Sequence, residues 1–218
     1  MEVTALERVE RRPAVASAAE GRRLTPRGRD RKRQLMDYAA HRFAEGGYHP
    51  TSVAEIVSGM GVGKGVFYWY FSSKEELLVE ILKEAQTSMR RAQHAAIVDE
   101  PDPLRRIEKG IRATMHWLHE SRHLQTLVQF AATEERFAPA LRKGARVAAA
   151  DVARHVTDAI AAGRVHDADP LLLTHCILGV SDSLARVLLT ENGDDPDVVA
   201  DAAIAFCRYG LAGSAEPG

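Results

Sequence analysis

The run from Thr51 to Lys74, TSVAEIVSGMGVGKGVFYWYFSSK, constrains this 218-residue chain more than any other stretch. It reads as two short helices joined by a glycine turn. Thr51 or Ser52 caps the first, and Glu55, three residues after Ser52, completes a capping box. Val53, Ile56 and Val57 face inward, Gly59-Met60-Gly61 makes the turn, and Val62 plugs it. The second helix runs from about Gly63 to Tyr70. Phe67 and Phe71 are four apart and belong to a core. Tyr68, Trp69 and Tyr70 cannot share one buried face, so at least two of them must be exposed. Exposed aromatics are costly unless a partner covers them. This is the layout of a helix-turn-helix, whose second helix enters the DNA major groove.

A reading helix must bring side chains to base edges while its flanks grip phosphates. Gly63-Lys64-Gly65 opens the helix with little bulk, so backbone can approach a duplex closely. Lys64 can reach either a guanine edge or a phosphate, and Val66 can meet a thymine methyl. The hydroxyls of Tyr68 and Tyr70 and the indole N–H of Trp69 are phosphate donors. Lys74, opening the next helix, is expected to hold another phosphate.

The flanks read as helices. Leu35, Met36, Ala39, Ala40 and Phe43 give one apolar face to a helix over 27–45, stopped by Gly46-Gly47. Ser72-Ser73 caps a long helix reaching about Ala96, with Glu75 and Glu76 in its first turn. Further helical segments fall near 103–119, 121–135, 138–162, 168–191 and 195–212, punctuated by Gly163, Pro170, Asn192-Gly-Asp-Asp-Pro196 and Gly213. No segment alternates with period two, so no sheet is expected. Residues 1–26 lack apolar periodicity and read as a disordered basic arm. The first 33 residues carry ten basic and five acidic side chains, about +5, which leaves about −6 for the rest of a chain whose total is −1. A basic end on an acidic body suits contact with DNA at one end. No run of about 18 apolar residues is present, so no membrane helix is expected. The N-terminus lacks the apolar region of a secretory signal, which points to the cytoplasm and the nucleoid. Cys176 and Cys207 read as buried free thiols, with a disulfide between them left open by spacing.

From about Gln34 to Leu82 the chain closely resembles the N-terminal domain of TetR-type transcriptional regulators. The resemblance rests on Ala39, Phe43, Gly46-Gly47-Tyr48, Thr51-Ser52-Val53, Ile56, Gly61-Val62, Lys64-Gly65, Phe67-Tyr68, Tyr70-Phe71 and Lys74-Glu75-Glu76-Leu77. It implies an all-α protein with a three-helix helix-turn-helix domain at 27–88 (the motif itself 52–71) and a helical ligand-binding and dimerisation domain at 89–213. It also implies a homodimer that reads a double-stranded palindromic operator in successive major grooves. By position, Lys64, Gly65, Val66, Tyr68, Trp69 and Tyr70 are the implied reading-helix contacts, and Ser52 and Lys74 the implied phosphate anchors. Gly63 and Val66 stand where the family often has serine or threonine, which weakens the cap and removes one polar contact.

The resemblance places an inducer pocket and the dimer face in the C-terminal helices. Pocket candidates are Met89, Met115, Trp117, Gln129, Phe130, His175 and Cys176. Leu172, Gly179, Val180, Ser183, Val187, Val199, Ala203 and Phe206 are expected on the dimer face, two helices from each subunit making a four-helix bundle. His116, His119 and His123 have a spacing a metal can use, but they lack cysteine or carboxylate partners, so neither metal nor cofactor is expected. No phosphate-binding glycine loop or nucleophile elbow points to an enzyme. The expected function is that of a repressor released from its operator by a small molecule. An architectural DNA-binding protein with a solid, pocket-free C-terminal core is the other reading.

Overall fold

A computed structural model describes residues 24–212. The expected basic arm falls almost wholly outside them. Its last residues already start the first helix, where Thr25 accepts from the Gly28 amide and Pro26 takes the first helical position. The helices are α1 Pro26–Gly46, α2 Val53–Gly59, α3 Lys64–Tyr70, α4 Lys74–Ile97, α5 Pro103–Glu120 and α6 Arg122–Ala132. After a 3-10 turn at Glu135–Phe137 come α7 Ala138–Ala161, α8 Pro170–Leu184 and α9 Pro196–Ala212. The described residues contain no strand, and the fold is all-α.

Caps explain most boundaries. Ser52 and Glu55 form the expected capping box, and Ser73, Asp102 and Asp169 each accept from an amide in the first turn of α4, α5 and α8. Gly47, with φ of 82°, turns the chain out of α1, a geometry that side chains other than glycine rarely adopt.

Two apolar cores organise the molecule. The first joins Leu35, Ala39 and Phe43 of α1 with Ile56, Phe67, Phe71 and Leu77, and it also takes Leu127, Ala131 and Phe137. The second is built on Leu104, Ile107, Ile111 and Met115 of α5, against Val156, Ile177, Leu189, Val199 and Ala203. The split expected at residue 88 is therefore not clean in space. Helix α6 and the turn after it are late in sequence yet complete the core of the N-terminal domain. Helix α4 gives its first half to that core and then runs along α5.

One element departs in type from the expected helix at 168–191. Beyond Leu184 the backbone continues as a π-helical segment, Ala185–Asn192, ended by Gly193 at φ of 78°. Pro170–Asn192 also has the length and mean hydropathy, 1.4, of a membrane-crossing helix. It is not an unbroken apolar run, because Asp182, Arg186 and Glu191 lie within it. Only 22% of its most apolar window is buried within the protomer.

Candidate DNA-binding surface

Helix α3 is held by what it buries. Phe67 is fully buried and Phe71 nearly so, and their rings lie 5.8 Å apart in the first core. The turn before it is closed by hydrogen bonds that the Gly61 amide donates to the Ser58 carbonyl and the Val62 amide to the Val57 carbonyl, with Gly61 at φ of 64°. Gly59 lets α2 lie on α1, since a Cβ there would meet the Tyr38 hydroxyl at 1.8 Å.

This packing turns Lys64, Gly65, Tyr68 and Trp69 outward together. Tyr68 is 58% and Trp69 46% exposed. Gly63 and Gly65 face open space, so neither is required by packing, and both leave bare backbone on the outer side. Gly63 supplies no side-chain cap, as its chemistry dictates. Val66 is half-buried. Tyr70 is buried at 8% exposure with its ring edge against Trp69, 4.5 Å between centroids. Of the three consecutive aromatics, two are exposed and one is not.

Ser52 is exposed and caps α2, while the hydrogen bonds that Glu55 accepts from Ser52 hold its carboxyl below the usual range. Lys74 is engaged within the protomer. Its ammonium donates to the carbonyls of Tyr48 at 2.8 Å, His49 at 3.2 Å and Thr51 at 2.9 Å, and lies 4.4 Å from the centre of the Tyr48 ring. Three donors meet three carbonyls, so Lys74 ties the start of α4 to the α1–α2 connection rather than standing free for a phosphate. Partial burial lowers its pKa, with Arg136 adding to the effect. No sequence signal separates these two roles, because the carbonyls come from a loop more than twenty residues away.

Sequence reasoning missed Arg27 and Arg31. They line a groove of about 370 Å³ with Thr25, Gly28, Val66, Trp69 and Tyr70, beside the outward face of α3. The signal for them is the basic count of the first 33 residues. Much of that charge sits on α1, where Arg27, Arg29, Arg31, Lys32 and Arg33 face a single Asp30.

The expected pocket set does not converge. Phe130 belongs to the first core, where it packs on Tyr48 at 5.2 Å, and Gln129 is exposed. His175 and Cys176 lie on the outer face of α8. Met115 is fully buried in the second core, and Trp117 donates to Ser88 across the α4–α5 contact. Met89 is half-buried on α4. The i, i+3, i+7 histidines diverge too: His116 pairs with Asp197, His119 meets Arg122, and His123 stacks on His41. Cys176 is exposed rather than buried. Cys207 is buried, and that burial pushes its thiol up to about 11.

The expected dimer face needs two corrections. Val199 and Ala203 are fully buried within the protomer, because they face α5 and α8. Val180 and Val187 are half-buried, whereas Leu172, Gly179, Ser183 and Phe206 are exposed. Tyr209, on the same apolar face of α9, is exposed too, as are Leu171 and Val198, which the expected set lacks.

These features define an all-α helix-turn-helix protein with an exposed reading helix on a separately cored helical body. Residues 35–81 match the family model described as "Bacterial regulatory proteins, tetR family". These residues thus form an N-terminal domain of the TetR type. It is 23% identical over 197 residues to the uncharacterised HTH-type transcriptional regulator YdgC of Bacillus subtilis, covering 86% of this chain and 96% of that one. It is 34% identical over 119 residues to the HTH-type transcriptional activator FasR of Mycolicibacterium smegmatis, a match spanning 54% of this chain and 53% of FasR. Its fold is similar to that of FadR from Bacillus subtilis, solved in complex with stearoyl-CoA, with a TM-score of 0.75 at 20% identity over 82% of this chain and 98% of that one.

Proposed function

We propose that the protein is a homodimeric repressor that reads a palindromic operator and leaves it when a small molecule binds the C-terminal domain. The observation that carries this reading is the face of α3. Lys64, Gly65, Tyr68 and Trp69 point outward together, while Phe67 and Phe71 lock the helix from behind. Aromatic tips and one ammonium around bare glycine backbone fit a duplex better than they fit solvent. Repression requires an operator that overlaps a promoter, and the bound genomic sites will test that directly.

Long-chain acyl-coenzyme A thioesters are the first ligands to try, because the FadR fold is described with one bound. A molecule that binds only the form with wrongly spaced reading heads releases DNA, and by linkage DNA weakens its binding.

The test is selection of genomic fragments by the purified full-length chain at fixed salt. Enrichment of one palindrome is expected, and no enrichment over random fragments at any salt defeats the reading. Lys64→Ala is expected to weaken operator binding. A change in base preference marks a base contact. A uniform loss with a salt slope lower by about one marks a phosphate contact.

A further inference from the structure

The first two turns of α1 carry Arg27, Arg29, Arg31, Lys32 and Arg33, and no acidic residue in the first turn balances them. Three of the five are accounted for within the protomer. Arg29 donates to the Leu24 carbonyl at 2.9 Å. Lys32 pairs with Glu80 at 3.0 Å and sits over the Phe71 ring, and Arg33 lies 4.0 Å from Asp30. Arg27 and Arg31 have no ion-pair partner among the described residues, and both are exposed. They are four residues apart, hence on one side of α1. That side is the lip of the groove whose wall includes Val66, Trp69 and Tyr70.

The groove therefore has a cationic edge and an apolar, aromatic wall. A sugar–phosphate strand has the complementary layout: phosphate oxygens for the guanidinium forks, and the deoxyribose face for the indole. Position selects the same occupant. The groove adjoins α3 but opens beside it, so with α3 in a major groove it meets the backbone bordering that groove. We propose that Arg27, Arg31 and Trp69 form a backbone clamp for the DNA strand at the edge of each half-site. The clamp adds affinity and sets register, and it reads no bases. This rests on the reading of α3 as a DNA-binding helix.

The test uses the full-length chain, an operator recovered by selection, and Kd measured against salt. Arg27→Gln/Arg31→Gln is compared with Arg33→Gln, an exposed cation of the same helix outside the groove. The double variant is expected to bind roughly tenfold or more weakly, equally on the operator and on single-base variants of it. Its salt slope should be lower by about two per protomer. Its Tm should not fall, because the removed charges hold nothing inside the protomer. Arg33→Gln should leave the slope nearly unchanged. In a Trp117→Phe background, emission from Trp69 should shift to the blue when DNA covers the indole. A slope and affinity unchanged in the double variant, with Lys64→Ala still impaired, overturn the clamp and leave the DNA-binding reading intact. A lowered Tm, or a loss confined to particular base changes, also overturns it. Failure of the unsubstituted protein to bind DNA at any salt removes both.

Discussion

At the scale of single residues, burial separates side chains that look alike in sequence. Lys64 and Lys74 both flank the reading helix, yet one is exposed and the other is consumed by three backbone carbonyls. Lys74→Met should cost about 2 kcal/mol, because the carbonyls lose a charged donor. Urea unfolding measures this. Any loss of DNA affinity should come without a change in salt slope, and a slope lower by about one would return Lys74 to the phosphate. Tyr48 is the opposite case. Its hydroxyl is buried with no hydrogen-bond partner among the described residues, and burial, with Glu75 nearby, pushes the phenol up to about 12. Its ring packs on Phe43, Phe130 and Phe137 and lies beneath Lys74. Tyr48→Phe keeps the ring and removes an unpaired donor, so it should be neutral or stabilise by up to about 1 kcal/mol. A loss of more than about 1 kcal/mol would show that the hydroxyl is bonded.

At the scale of elements, the contact of α6 with α1 joins the reading head to the body. His41 on α1 and His123 on α6 stack there with ring centroids 4.0 Å apart. Burial lowers the pKa of His123, the charge of His41 lowers it further, and Asp37 opposes both. The folded chain thus holds this imidazole neutral where the unfolded chain, at about 6.5, begins to protonate it. The stabilisation is present above about pH 6.5 and is lost as the pH falls through the depressed folded value. His155 is shifted the same way by burial and by Arg154, so His123 accounts for only part of the loss. The urea midpoint should fall between pH 7.5 and 5.5, and by less in His123→Gln. An equal fall in both proteins would remove the stack from the account. The carboxylates held low, Glu134 by Arg136 and His49 and Asp197 by His116 and Arg112, lose their stabilisation only at more acid pH.

At the scale of the whole molecule, α8 and α9 leave Leu171, Leu172, Val198, Phe206 and Tyr209 at least 55% exposed. Large exposed apolar groups on neighbouring helices are unfavourable in water and mark an interaction surface. A second copy is the proposed partner, since a two-fold axis gives two reading heads a fixed separation of roughly 34–36 Å for successive major grooves. Phe206→Glu places a charge on that face without touching either core. Sedimentation should show the variant as a monomer at micromolar concentration, with operator affinity down at least tenfold. A dimer of unchanged strength would move the interface elsewhere.

The amino-acid sequence alone determined what local physics controls: the order of the helices, the capping box at Ser52 and Glu55, the turn at Gly59–Gly61 and the all-α class. It also determined that Phe67 and Phe71 point inward, because a spacing of four on a short helix admits one buried face. Only the tertiary structure decided the partners. It took α6 into the core of the N-terminal domain and turned Cys176 outward. It buried Val199 and Ala203, spent Lys74 on loop carbonyls, and set Arg27 and Arg31 against the flank of α3. The reason is the same throughout. A helical repeat shows which residues share a face, but the neighbour that face meets is set by packing between segments far apart in the chain.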